Sequence, residues 1–236
     1  MLVNGASLQN VELIEKKITT KDTTNVVENI STFLPPYTDR DEYNLGEIEL
    51  TLGCYDDTED GLELIKSKLV LSLSKCVLKF DDLIYYYDVA YQNKVEEDKP
   101  FINILTEKWY QKITVYFTIL KKYTSEKVVV ANKVLSISID YKGTEKAPCI
   151  IEVTPTIDMI DFSIIGLSDS PIILKNLKAN TKVSVDGIKK KVIRNASNDF
   201  NNTDMWGYPQ LNVGINNITF SKNTCNINIK YRTNFY

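Results

Sequence analysis

Apolar and polar residues alternate along most of this chain, with a period of two far more often than 3.6. Residues 47–52 put Ile48, Leu50 and Leu52 on one face and Glu47, Glu49 and Thr51 on the other, the pattern of a strand with one face in a core. Residues 109–120 repeat it, with Trp109, Ile113, Val115, Phe117 and Ile119 against Lys112, Thr114, Tyr116 and Thr118. Between these strands lies one helix, over 57–74. Leu62, Ile65, Leu69 and Leu73 recur at helical spacing, Asp57 or Thr58 can cap the start, and Glu59, Asp60 and Glu63 suit its positive end. Residues 76–80 and 83–91, parted by Asp81-Asp82, predict a hairpin whose second strand carries Tyr85, Tyr86, Tyr87 and Tyr91. The first half therefore reads as mostly antiparallel β with one helix.

Short alternating segments follow at 135–141, 149–154, 159–165, 172–174, 181–185, 189–194, 218–220 and 225–231. Asp186-Gly187 predicts a two-residue hairpin turn. Short strands at this spacing suit a β-sandwich. Charge divides the chain at the same place: residues 1–131 carry a net −7 and residues 132–236 a net +4. Of 21 asparagines, 11 lie between Asn195 and Asn234, on outer faces and in turns. Two domains, 1–131 and 132–236, are expected, with residues 121–127 as a polar connector. Residues 19–44 have little periodicity, and their Pro35-Pro36-Tyr37 suits a surface loop or an arm laid on a neighbouring subunit.

The candidate chemistry is sparse. The chain has no histidine, which removes Ser–His and Cys–His nucleophile systems and the usual neutral-pH proton shuttle. Cys54, Cys76, Cys149 and Cys225 are far apart in sequence, without the close pairs of zinc sites, and read as free thiols. Asp56-Asp57, Asp81-Asp82 and Glu96-Glu97-Asp98 fall where turns or a helix start are expected, and no phosphate-cradling glycine motif is present. No enzyme, metal site or cofactor is expected. No apolar run reaches the roughly 20 residues of a membrane span, so no membrane insertion is expected. Three arginines, Arg40, Arg194 and Arg232, are poor equipment for sequence-specific nucleic-acid recognition.

The C-terminal segments Cys149-Ile150-Ile151-Glu152-Val153-Thr154, 172–177 and 183–187 lead into a stretch opened by Asp204, in which Trp206, Pro209, Leu211, Gly214 and Asn216 are spaced as Trp-x-x-Pro-x-Leu-x-x-Gly-x-Asn. A strand and Tyr231-Arg232 complete the pattern. This combination resembles the distal tail protein family of siphophages; Val213 and Thr233-Asn234 depart from it, and the first half is similar only in layout. The resemblance implies a mainly β protein, with a split-barrel-like, ring-forming N-terminal domain carrying one helix and then a galectin-like β-sandwich. It implies a non-enzymatic hexameric hub at the virion's tail tip, assembled in the bacterial cytoplasm. Such a hub joins the tail tube protein to the tail-associated protein and, in larger baseplates, to receptor-binding proteins. A galectin-like protein binding wall carbohydrate, or the equivalent component of a phage-derived bacteriocin, are the alternatives.

The residues add expectations of their own. Pro209, Gly214 and Asn216 suit a tight turn, with Trp206 and Leu211 as apolar plugs holding it to the sandwich; Trp206 stacking on a sugar is the other reading. Tyr85, Tyr86 and Tyr87, together with Pro35, Pro36 and Tyr37, are candidates for subunit contacts, against ordinary sheet packing for the tyrosines. The acidic first half suits a channel lining that does not hold DNA. Lys189-Lys190-Lys191 reads as a solvated hairpin arm.

Overall fold

The computed structural model describes residues 1–19, 24–28, 37–42 and 46–235, which form two compact units, Met1–Tyr123 and Thr124–Phe235. Each unit has its own hydrophobic core. The division lies at 123/124 rather than 131/132. Lys127–Asn132 is a strand paired residue by residue with Cys225–Tyr231, so its backbone hydrogen bonds commit it to the second unit.

The first unit is one antiparallel sheet, curled as a half-barrel, in the order Leu2–Val3, Lys75–Lys79, Tyr86–Glu97, Lys108–Tyr123, Glu47–Asp56, Val11–Thr19. Phe101–Asn103 folds back on Lys108–Tyr123 as a hairpin, and Thr24–Glu28 pairs separately with Tyr37–Glu42. The expected alternation sets the register: Ile48, Leu50 and Leu52 face Phe117, Val115 and Ile113 across the central ladder, and all six are buried. Side-chain period two means that a one-residue slip would carry this whole set into solvent. The helix, Glu59–Leu73, seals that face with Leu62, Leu69 and Leu73. Thr58 is its cap, accepting from the Gly61 amide at 3.0 Å. The Asp56 carboxylate lies over Gly61 and would have to shift to admit a Cβ there.

The second unit is a two-sheet sandwich. One sheet runs Lys127–Asn132, Cys225–Tyr231, Ala147–Pro155, Val183–Asp186, Lys191–Arg194, Ser197–Asn198, and the other Ser136–Tyr141, Gly214–Phe220, Met159–Ile165, Ile172–Leu177, Thr203–Asp204. Cys149, Ile151 and Val153 from the first sheet and Phe162, Ile164, Ile172, Leu174 and Ile218 from the second meet in one core. The turn after Asp186 is longer than the two residues predicted, spanning residues 187–190. The Asp186 carboxylate organises it by accepting from the amides of Ile188 (2.8 Å) and Lys189 (2.9 Å). Gly187 is there for closeness, not for left-handed backbone: a Cβ would run into the carbonyls of Pro209 and Cys149.

On the outer face of the sandwich, Glu152 is mostly buried between Lys230 (2.9 Å) and Lys182 (3.2 Å). Burial works to raise its pKa, but hydrogen bonds from the two lysines outweigh it and hold the carboxyl below the ordinary glutamate range. A depressed folded-state pKa contributes stability above the unfolded value, near 4.3, which is lost as pH falls through the folded one. Glu152→Gln is therefore expected to lower the unfolding midpoint at pH 7 and to flatten the acid limb below about pH 4.3. Urea titrations at pH 7 and pH 3 check this, an unchanged acid limb being the contrary result.

Candidate interaction surfaces

The segment 204–216 is held by the sandwich from both ends. The Cys149 amide donates to the Pro209 carbonyl at 3.0 Å, the Gln210 amide to the Leu167 carbonyl at 2.7 Å, and Gln210–Leu211 pairs with Ala147–Pro155. Leu211 is fully buried. Asn216, also buried, spans the turn: its carboxamide oxygen accepts from the Asn212 amide (2.8 Å), and its nitrogen donates to the carbonyls of Asn212 (2.7 Å) and Gly214 (3.0 Å). Gly214 has φ +89°, which an L side chain would strain. Asp204 lies 3.6 Å from Lys175 in a solvent-exposed ion pair.

Trp206 is not a plug. It is 93% exposed, because Met205 and Tyr208 on either side turn into the core instead. Gly207 backs onto Ser168, whose hydroxyl a Cβ would strike. At the other end of the signature, Tyr231 packs edge-on against Tyr141 with ring centroids 5.9 Å apart. The buried Tyr141 hydroxyl donates to the Glu145 carbonyl and accepts from the Asn234 amide, both at 2.8 Å, so it ties down the final residues of the sandwich. Arg232 is exposed.

The three tyrosines separate by strand parity. Tyr87 is buried against Phe80, which removes it as a subunit contact. Tyr85 lies partly buried beside it with the Lys122 ammonium 4.4 Å above its ring. Tyr86 points to the other face and stacks on Tyr123 at 5.7 Å. All three thus take part in sheet packing. Pro35 and Pro36 lie outside the described residues; the backbone of Tyr37 begins the strand Tyr37–Glu42.

The face of the first sheet turned away from its core is polar and rich in acids. The ladder places Glu12, Glu15, Glu47, Glu49, Asp88 and Glu96 on it, with Lys17, Lys112 and Lys121 among them. Tyr110 lies across Gly53 and donates to Glu12 at 2.7 Å; Tyr123 donates to Asp88 at 2.8 Å. Among the described residues, no three His, Cys, Asp or Glu side chains converge as a metal site would require. In the sandwich, Lys189, Lys190 and Lys191 are exposed on the hairpin turn.

Sequence reasoning missed one exposed apolar cluster among the described residues. At the tip between Phe101–Asn103 and Lys108–Tyr123, Ile104 is 92% and Leu105 93% exposed, with Phe101 and Ile102 about half exposed. The signal was the run Phe101-Ile102-Asn103-Ile104-Leu105, whose four apolar residues sit between Pro100 and charged neighbours without strand alternation. Contiguous exposed apolar groups mark contact sites. In the same unit, Leu8, Val11, Leu64, Ile65 and Leu69 line a groove of about 560 Å³ between the helix and the N-terminal turn.

Residues 142–235 match the family described as siphovirus-type tail component, C-terminal domain. No curated protein matches the sequence. The fold is similar to the crystal structure of the SPP1 Dit protein, described as a paradigm of the hub adsorption apparatus of phages infecting Gram-positive bacteria. The TM-score is 0.76 at 14% identity, covering 100% of this chain and 98% of that one. Chains of the phage P2 baseplate in its activated conformation also match, with calcium (TM-score 0.51, 13% identity) and with strontium (0.51, 14%), each covering 94% of this chain and 90% of that one.

All four cysteines are buried and free. Burial pushes the thiols of Cys54, Cys76 and Cys225 up to about 11 and that of Cys149 to about 12. Since the thiolate is the reactive form, all four are expected to resist Ellman's reagent at pH 8 in native buffer and to titrate fully in denaturant. Fast native labelling of any one would contradict its burial.

Proposed function

We propose that this chain, whose residues 142–235 match the siphovirus-type tail-component domain family and whose fold is similar over its full length to that of the SPP1 Dit protein, is a non-enzymatic distal tail hub. Copies close into a hexameric ring at the tail tip, between the tail tube protein and the tail-associated protein. In larger baseplates the ring also holds host-recognition proteins. The agreement in fold over the entire chain, both units in one alignment, carries this reading. Assembly takes place in the bacterial cytoplasm, and the finished protein resides in the virion.

In such a ring the first unit forms the wall. An excess of acids on its polar sheet face, bordering the bore, would keep phosphates from adhering, because lysine and arginine are what neutralise a nucleic-acid backbone. DNA could then pass without being held. The sandwich, with its net positive charge, stands as the docking module.

The exposed Trp206 favours a second reading of the sandwich as a carbohydrate contact, an aromatic face free to stack on a sugar ring. Quenching or shift of tryptophan emission by host wall polysaccharide, lost in Trp206→Ala, would support it; equal response in that variant would remove it.

Negative-stain imaging of the full chain, alone at high concentration and mixed with the tail tube protein, tests the hub. Six-fold rings are the expected result in at least the mixture, with no retention of duplex DNA at about 50 mM salt. Monomers under both conditions would overturn the hub.

A further inference from the structure

The sandwich carries a cleft of about 440 Å³ at the end of its first sheet. Strand parity supplies its cationic lining: in Lys191–Arg194 the side chain of Val192 is buried, so Lys191 and Ile193 share the outward face, and Lys190 precedes them on the turn. Phe200 and Tyr208 supply an aromatic lining, with ring centroids 6.5 Å apart, and Asn198 from the edge strand joins them. We infer that this cleft binds an anionic saccharide, its charge meeting Lys190 and Lys191 and the C–H face of its ring lying on Phe200 and Tyr208. This site depends on neither the ring nor the exposed Trp206.

Charge selects the anion. No acid lines the cleft, and neither lysine has an ion-pair partner among the described residues. The acids closest along the chain are already engaged. Asp186 accepts from the amides of Ile188 and Lys189, and Asp199 pairs with Arg194 at 2.7 Å and accepts from Asn202 at 2.6 Å. Two cations left without a counter-charge in a concave site favour a negative ligand. The other lining residues select a saccharide over a bare anion or a peptide. A sugar ring has an apolar C–H face that an aromatic ring can cover and hydroxyls that need partners. The Tyr208 hydroxyl makes no hydrogen bond among the described residues, and Asn198, which accepts from the Phe200 amide at 3.3 Å, keeps its two N–H donors. A peptide adding to the sheet would need a strand edge, and the edge strand here, Ser197–Asn198, is two residues long. The volume is that of a small-ligand site. The lining is also fixed in advance: the Arg194 guanidinium donates to the carbonyls of Asn176 (2.6 Å) and Lys175 (2.9 Å) while it holds Asp199, next to Phe200. A preorganised site loses little entropy on binding.

Saturation-transfer difference NMR on the full chain tests the cleft, since it detects weak ligands and tolerates large assemblies. Glucose 1-phosphate and glucuronate are the probes, and neutral glucose is the control, each at about 5 mM to reach a millimolar Kd. Transfer to the ring C–H protons of at least one anionic probe is expected, roughly fivefold above that to glucose. Response to only one probe identifies the charge as phosphate or carboxylate. Lys190→Ala/Lys191→Ala, which changes two exposed side chains, is expected to remove most of the transfer without moving the thermal unfolding midpoint. Phe200→Leu should reduce it similarly, and Trp206→Ala should leave it intact. Absence of transfer to both anionic probes, equal transfer to glucose, or full transfer in the lysine variant would overturn the cleft. Transfer lost in Trp206→Ala but kept in the lysine variant would overturn it too, and would place the contact at Trp206. Six-fold rings are read separately by imaging, so failure here leaves the hub standing.

Discussion

The strand Cys225–Tyr231 lies between Lys127–Asn132 and Ala147–Pro155, and the second unit depends on those two ladders. One brings the start of the unit and its end side by side; the other sets the register of the strand that carries Cys149, Ile151 and Val153 into the core. Buried backbone amides and carbonyls must be paired, so losing this strand would orphan groups on two neighbours at once. The segment that resembles the tail-protein signature is an attachment to this framework. Its Pro209 carbonyl and its Gln210–Leu211 pairing both engage Ala147–Pro155 or the loop beside it, and Gly187 stays without a side chain so that this approach is possible.

The first unit solves the same burial problem with a different partner. A single curled sheet has one apolar face, and the helix Glu59–Leu73 covers it. The opposite face is left for polar work, and its residues are held rather than loose. Thr51 and Thr114 share a hydrogen bond at 3.3 Å, Gln92 donates to Thr118 at 3.1 Å, and Tyr110 is seated over a glycine. The hydrogen-bonding groups named on this face are engaged with one another. The protruding hairpin carries the apolar surface instead.

Much of the fold was legible in the residue pattern. Period-two alternation located the strands around Leu50, Val115, Ile151 and Ile229, and the spacing of Leu62, Leu69 and Leu73 located the helix within about two residues of its ends. The strands missed were those whose pattern is interrupted or too short. Val11–Thr19 contains a bulge between Leu13 and Glu15 and turns Lys16 towards the core side, with its ammonium 4.9 Å from the Phe80 ring centroid. Lys127–Asn132 has Val128 and Val130 exposed, so it reads as neither strand face nor linker. The signature turn was legible as a turn through Pro209, Gly214 and Asn216, but its tryptophan was read the wrong way round. Aromatic bulk argues for burial on average, whereas in the bend at 206–207 it is the flanking Met205 and Tyr208 that pack on the core and Trp206 that is left exposed.

What the sequence by itself determined is local: which residues alternate, where the backbone must turn, that no histidine is available for catalysis, and that the two halves differ in charge. These follow from side-chain size, polarity and backbone freedom, which every residue carries with it. Tertiary structure decided which strands pair, on which unit Lys127–Asn132 belongs, which of three adjacent tyrosines is buried, and that Ile104 and Leu105 stand clear of any core. Those outcomes depend on partners distant in sequence. A residue's pattern states that it needs a neighbour; only the folded chain shows whether that neighbour lies within the same molecule.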